Sequence, residues 1–411
     1  MAPANADDAS DSEWAVVRSL SSIHHIASIE SRSENVFVNV YIYVKSVNFK
    51  FWRHDNKEQG VADIRDVAQR AGCSIATVSR ALNSPQLVRP ETLARVQAAA
   101  AELKFRPNAL GRQLRGERTG LIGVMLPTLG NPVFADCLEG IEAAIDGTGR
   151  RLLLVTTQYD PERERNAIET LLQQRVDGLL LTLADAEHSA LIDDLAAEGV
   201  ACQLVYNDAP ERPCVSVNNR AAAAQGVAML IEAGHRDIVM VTGALHASDR
   251  AKRRYLGYGD AMQAAGLTPL PAFEIDFNSG ARGERVREWL AQRERDGARP
   301  TALFCSNDLL ALGVMRALRE AGLRVPDDMS VLGFDGLAVG ELLSPTLATV
   351  VQPSVDIGRH AAQRLLAQIE GRDGRTGVAT TLPDASLGQA LILPHEIRRG
   401  GTVAAPPGKP R

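Results

Sequence analysis

Ile64-Arg65-Asp66-Val67-Ala68-Gln69-Arg70-Ala71-Gly72-Cys73-Ser74-Ile75-Ala76-Thr77-Val78-Ser79-Arg80-Ala81-Leu82-Asn83 reads as two short helices joined by a tight turn. Ile64, Val67, Ala68 and Ala71 recur at helical spacing and give the first helix one apolar face, and Gly72 supplies the backbone freedom that a sharp C-terminal turn needs. Ser74 is placed to cap the second helix, in which Val78, Ala81 and Leu82 point inward. Ser74, Ile75, Ala76, Thr77, Ser79, Arg80 and Asn83 are left on or near the outer face. These are groove-sized residues: hydroxyls for phosphates or base edges, an Arg80 fork for guanine or phosphate, and small or apolar groups for a thymine methyl. Periodicity alone fits an ordinary helical hairpin as well as a helix-turn-helix.

Working outward on the C-terminal side, Ser84-Pro85 breaks the second helix. Arg89-Pro90-Glu91-Thr92 opens a third, carried by Leu93, Val96, Ala100 and Leu103. Phe105 to Arg115 follows, with Pro107 at the start of a helix too short to be stable alone. From Gly120 the pattern changes. Apolar runs at Leu121–Leu126, Leu152–Val155, Gly178–Leu183 and Cys202–Tyr206 alternate with helical stretches at Phe134–Ile145, Arg163–Gln174 and Leu191–Ala197. A second set runs through Ala221–Ala233, Ile238–Thr242, Ala251–Ala264, Ala272–Ile275, Glu284–Arg293, Ala302–Cys305, Leu309–Ala321, Val331–Phe334 and Val355–Ile369. The fold class is therefore α/β, with a small all-α head and a core of two doubly wound parallel sheets. Two such sheets in tandem give two lobes whose strand ends face a cleft, the place where open α/β sheets take ligands.

A chain of 411 residues exceeds one core, and 45% hydrophobic residues with only 4% aromatic suit helices on parallel sheets. The net charge of −5 conceals an asymmetry: residues 61–118 hold ten Lys/Arg against five Asp/Glu, a basic head on an acidic body. Cys73, Cys137, Cys202, Cys214 and Cys305 are odd in number and scattered, which favours buried thiols in a reducing compartment over disulfides or a metal site. No apolar run reaches bilayer length and no export signal opens the chain. No Gly-rich phosphate loop followed by Lys, Ser elbow or metal-ligand spacing is present, so an enzyme is not expected and no cofactor is implied. His24-His25 has no partners in the pattern. Residues 1–60 show only a strand-like alternation from Val36 to Val44, one hairpin's worth. They are read either as an accessory extension or as the result of a start placed too far upstream, with Val61 as the true initiator.

The residues of the opening stretch resemble, nearly position for position, the DNA-binding head of the lac-repressor family of bacterial transcription regulators. The likeness extends over about residues 62–400 through Leu121-Ile122-Gly123-Val124, Asn131-Pro132-Val133-Phe134, Arg175-Val176-Asp177-Gly178-Leu179, Gly234-His235-Arg236-Asp237-Ile238, Cys305-Ser306-Asn307-Asp308, Leu332-Gly333-Phe334-Asp335 and Gln352-Pro353. Asp177-Gly178 and Gly333-Phe334-Asp335 are expected to shape turns rather than to touch ligand.

The resemblance implies a head at 61–106, a hinge helix and linker at 107–118, a two-lobed periplasmic-binding-protein-like core at 119–400 and a flexible tail at 401–411. It implies that Asn108, Gly111 and Leu114 meet DNA, Leu114 as a minor-groove wedge, although Leu114 also fits a plain linker. Gly111 departs from the usual Ala and weakens an isolated hinge helix by about 1 kcal/mol. In the cleft it implies that Arg254 and Asp308 bond ligand hydroxyls or carboxylate, with Asn131, Phe134, Tyr206, Asn207, Phe277 and Gln352 completing the site. A structural Arg254–Asp308 pair is the alternative. Tyr206 departs from the Asp often found there, which weakens the inference of a neutral sugar. The implied protein is a cytoplasmic, nucleoid-associated homodimer that binds double-stranded operator DNA and a small-molecule effector, with no membrane partner. No heptad pattern follows Gly371, so a tetramerising coiled coil is not expected. The alternative is a transport-type binding protein without a regulatory role.

Overall fold

The computed structural model describes residues 62–83, 85–105, 118–275, 282–371 and 388–408. The expected strand-like run within 1–60 and the hinge at 107–117 lie outside them. The chain divides near residue 106 into two units, considered separately.

The first unit is three helices, α1 (Ile64–Ala71), α2 (Ile75–Asn83) and α3 (Pro90–Glu102). Asp63 caps α1 by accepting from the Arg65 and Asp66 amides, while Asp66 returns a bond to the Asp63 amide, a reciprocal box that satisfies orphan donors. Gly72 ends α1 at φ 62°, the left-handed geometry that a side chain resists. Val67, Ala68, Ala71, Val78, Ala81, Val96 and Ala99 form a small buried core, as the spacing required.

The second unit alternates strands and helices: β1 (Leu121–Leu126), α4 (Pro132–Ile145), β2 (Arg151–Thr156), α5 (Pro161–Gln173), β3 (Gly178–Leu181), α6 (Ala190–Ala197), β4 (Cys202–Val205), β5 (Cys214–Val217), α7 (Asn219–Glu232), β6 (Ile238–Thr242), α8 (Asp249–Ala264), β7 (Phe273–Glu274), α9 (Arg282–Arg295), β8 (Ala302–Cys305), α10 (Asp308–Glu320), β9 (Ser330–Asp335), β10 (Ala348–Val351), α11 (Ser354–Gly371), β11 (Leu391–Leu393) and β12 (Glu396–Arg398). One sheet has the order β11-β5-β4-β3-β1-β2, all parallel, and the other β12-β10-β9-β8-β6-β7, parallel except for β12 against β10. Strands such as Leu179-Leu180-Leu181 and Ala302-Leu303-Phe304-Cys305 are buried throughout, which is why they read as unbroken apolar runs rather than alternations.

Two expectations are corrected. Helix α11, placed above with the second set, packs instead on the first lobe, where Ile357, Ala361, Leu365 and Ile369 join the core. Periodicity identifies a buried face but not the sheet it covers, and the seam is set by small residues. A Cβ at Gly140 of α4 would lie 1.9 Å from the Val355 carbonyl oxygen, and one at Gly358 would lie 2.0 Å from that of Cys137. The tail expected to be flexible from 401 is docked on the second lobe. Thr402 is fully buried, its carbonyl accepting from the Val331 amide at 2.9 Å and its hydroxyl from the Ala348 amide at 2.9 Å, and His235 Nε2 donates to the Ala404 carbonyl at 2.9 Å. These are backbone and short polar contacts, invisible to an apolar pattern.

Candidate functional site

On the head, α2 exposes Ser74, Ile75, Ala76 and Arg80, while Thr77 and Ser79 are partly buried. Ile75 keeps 47% of its surface exposed, leaving an aliphatic group on this face. Ser74 Oγ accepts from the Thr77 amide at 3.1 Å and lies 2.9 Å from the Thr77 hydroxyl, so the first turn is tied down and presents a fixed polar edge. Arg70 of α1 pairs with Glu102 of α3 at 2.7 Å, away from this face and leaving Arg80 uninvolved in that clamp. The Asn83 side chain, and Asn108, Gly111 and Leu114, lie outside the described residues.

In the core, the carboxyl ends of the strands of both sheets converge on a cavity of about 280 Å³. That is at the small end of about 300–1,000 Å³ for small-molecule sites, room for a single small ligand. From the first lobe come Asn131 and Phe134 beyond β1, Tyr159 beyond β2 and Tyr206 beyond β4. From the second come Arg250 and Arg254 on α8, Ser306 and Asn307 beyond β8, Asp335 at the end of β9 and Gln352 beyond β10. Tyr206 (φ 66°) and Asp335 (φ 120°) both hold left-handed backbone, a strain of order 1–3 kcal/mol kept where the fold must aim a side chain. Tyr206 spends its hydroxyl on the Val133 carbonyl at 2.7 Å and meets the Phe134 ring edge-on at 5.5 Å, so it offers the cavity an aromatic wall.

Asp335 organises the polar side. Its Oδ1 accepts from Gln352 Nε2 at 2.8 Å, its Oδ2 accepts from Asn131 Nδ2 at 3.1 Å, and Arg254 Nη1 lies 3.5 Å away. Arg254 also donates from Nε to Asn219 Oδ1 at 2.9 Å and from Nη1 to the Ser306 carbonyl, and its guanidinium sits 3.6 Å over the Phe334 ring. Burial pulls the Arg254 pKa down to about 10 against the opposing pull of Asp335, and burial raises that of Asp335.

Beside this centre the lobes are laced together. Arg250 Nη1 donates to the Leu183 carbonyl at 2.9 Å and to Asp249 Oδ1 at 3.0 Å, and the Asp249 amide donates to the Ala184 carbonyl at 2.7 Å. Glu164 accepts from the Ala184 amide at 2.8 Å, and burial pushes its pKa up to about 7.

Of the expected cleft residues, Asn131, Phe134, Tyr206, Arg254 and Gln352 line the cavity; Phe277 lies outside the described residues. Two are corrected. Asn207 is fully buried and committed to Leu183 N at 3.0 Å, Leu183 O at 2.9 Å and Asp249 Oδ2 at 2.7 Å, so it serves the seam between the lobes. Asp308 is fully buried behind the wall, accepting from the Gly336 and Leu337 amides at 2.9 and 2.7 Å and from Thr349 Oγ1 at 2.6 Å. Arg254 pairs with Asp335 instead, so neither a ligand role for Asp308 nor an Arg254–Asp308 pair holds. Conversely Asp335, set aside above as a turn residue, is the buried carboxylate in the cavity wall. Asp335, Tyr159, Ser306 and Arg250 were missed. For the first three the available signal was position: each stands at or just beyond the end of an apolar run, where a ligand-facing residue must stand.

Residues 63–108 match the family model described as bacterial regulatory proteins, lacI family, and residues 227–388 match the periplasmic binding protein-like domain. An HTH-type transcriptional repressor PurR of Haemophilus influenzae (strain PittEE) is 35% identical over 317 residues, covering 76% of this chain and 93% of the relative. The chain belongs to the lacI family. Another relative, a ribose operon repressor of Haemophilus influenzae, is 32% identical over 314 residues, 75% of this chain and 92% of its own length. Among solved structures, the lac repressor dimer bound to operator and the anti-inducer ONPF superposes with a TM-score of 0.71 at 28% identity, covering 84% of this chain and all of that one. The CelR–cellobiose complex gives 0.58 at 27% identity, over 83% of this chain and 99% of that one. Relatives of different name stand at nearly equal identity, so membership of the lacI family does not by itself select an effector; the cavity wall must.

Proposed function

We propose that this chain is a transcription repressor whose affinity for double-stranded operator DNA is set by a small molecule bound between its lobes. The observation that carries the reading is the Asn131–Asp335 hydrogen bond, 3.1 Å, which joins the lobes inside a cavity lined by aromatic and guanidinium groups. A ligand that contacts Asp335 and Arg254 on one lobe and Asn131 and Tyr206 on the other binds the closed arrangement better than any open one, and so shifts the lobe equilibrium. The exposed edge of α2, from Ser74 to Arg80, would enter the major groove, and residues 107–118 would relay lobe geometry to it as the hinge. A near-palindromic operator requires two heads, and the similar lac repressor is described as a dimer on its operator; the working form of this chain is accordingly a homodimer in the bacterial cytoplasm. The head distinguishes this reading from a transport-type binding protein, which has no use for a DNA-binding unit.

The test is selection of bound duplexes from a random library with the full chain, followed by titration of the recovered site in the presence of candidate metabolites. Recovery of a two-fold-related site whose affinity a metabolite changes supports the reading. Recovery of no preferred sequence overturns it.

A further inference from the structure

We propose that the effector carries a carboxylate and that Arg250 binds it through Nη2. The proposal rests on the cavity being the effector site and deepens that reading.

Arg250 lines the cavity, is 94% buried (6% exposed), and splits its guanidinium between two tasks. Nη1 is engaged by the Leu183 carbonyl and Asp249. Nη2 is buried and has no hydrogen-bond partner among the described residues. A buried cationic donor left unpaired is costly, and hydrogen bonds to charged groups are the strong ones, so this atom calls for an acceptor from the ligand. The rest of the wall says which acceptor. Asp335 already accepts from Gln352 and Asn131, one bond at each oxygen, and Asp249 behind Arg250 accepts from Arg250 and Asn207 in the same way. Tyr206 has given its hydroxyl to Val133, and Glu274 at the exposed mouth accepts from the Leu245 amide. Among the buried ionisable groups of the lining, two guanidiniums face one carboxylate. A neutral ligand can offer Nη2 only a hydroxyl or carbonyl oxygen, whereas a carboxylate oxygen gives this buried guanidinium the stronger, charge-assisted bond. Nη2 alone, with Nη1 already partnered by Asp249, suits a monoanion better than a phosphate dianion. Arg250 also lies in the first turn of the 16-residue helix α8, whose N-terminal field favours an anion. Because Arg250 Nη1 reaches Leu183 on the opposite lobe, an anion on Nη2 holds the guanidinium that ties the lobes.

The experiment is calorimetric titration of the full chain with matched compounds: D-gluconate, D-glucuronate and D-galacturonate against D-glucose and D-galactose, with D-glucose 6-phosphate as the dianion. At least one acid is expected to bind tenfold or more tighter than its neutral counterpart. Arg250→Gln is expected to abolish that preference, and Arg250→Lys to restore part of it. Equal or better binding of the neutral sugars, preference for the phosphate, absence of binding by every acid, or an acid preference unchanged in Arg250→Gln each overturns the proposal. Should the variant fail to fold, the wild-type comparison decides alone. Operator binding is read in the same samples: a neutral compound that alters it removes the carboxylate and leaves the regulator standing, whereas an acid that binds without altering it leaves the carboxylate and removes the regulator.

Discussion

Asn131 on the first lobe and Asp335 on the second are hydrogen-bonded across the cleft, Nδ2 to Oδ2 at 3.1 Å, within the wall that a ligand must touch. Asn131 also caps α4 through Oδ1, which accepts from the Val133 amide at 3.3 Å. Asn131→Ser separates the two roles, since Ser still caps but is too short to span the cleft. The expected outcome is a melting temperature within about 2 °C of the parent and effector affinity lowered roughly tenfold, the worth of one hydrogen bond to a charged group. Full effector affinity in this variant would remove the bridge from the account.

Removing the other partner has a different signature. Asp335→Asn keeps the shape but leaves the buried Arg254 guanidinium without its neighbouring anion, a loss of about 3–5 kcal/mol by analogy with broken buried pairs. Lower thermal stability together with lost effector response is expected, and adding Arg254→Gln to Asp335→Asn should recover part of the stability but none of the response.

Asp308→Ala should behave as a purely structural lesion. It orphans the Gly336 and Leu337 amides and leaves the Thr349 hydroxyl only the Val350 carbonyl at 3.4 Å, so the chain should melt well below the parent, while the folded fraction binds effector with unchanged affinity. Calorimetric titration at a temperature where the variant is folded makes the distinction.

On the head, Arg80→Ala should weaken operator binding by about 1–3 kcal/mol and leave effector affinity as it was. If Arg80 contacts a phosphate, the loss is uniform across operator variants and the salt dependence flattens by about one ion; if it reads a base, only one operator position loses its preference.

Two carboxylates raised to about 7 each contribute a pH dependence with a definite sign. Burial lifts Glu164 and Asp308 to about 7 in the folded chain, above their ordinary values. Between about pH 4.5 and 7 the unfolded chain has released these two protons while the folded chain still holds them, so the stability these groups contribute falls as pH rises through this window and levels off above it. Glu164→Gln retains the acceptor for the Ala184 amide and should flatten part of that fall, as seen in melting temperatures from pH 5 to 8. A slope equal to the parent's would place the titration elsewhere.

The sequence made the head legible almost residue by residue, because an eight- or nine-residue amphipathic helix writes its buried face into the spacing of Val67, Ala71, Val78 and Ala81. The lobes were legible as a rhythm, but four strands escaped. Cys214–Val217, Ala348–Val351, Leu391–Leu393 and Glu396–Arg398 are three or four residues long, and their pairing is supplied by partners elsewhere in the chain. The site divided along similar lines. Arg254 and Asn131 could be carried over from the family pattern, whereas the choice between Asp308 and Asp335 depended on a hidden fact. Asp308 faces the Gly336 and Leu337 amides, and Asp335 turns into the cleft through a backbone angle that a sequence does not display.

The chain passes between its two sheets after β5, after β10 and again between β11 and β12, and the final two strands close one sheet each. On the ribosome, neither sheet can be completed until residues 391–398 have emerged, however early the first lobe's central strands are made. Until then β5 and β10 remain the open edges of their sheets. The end of the chain is thus the piece that finishes both lobes, and loss of residues 391–398 would take one edge strand from each.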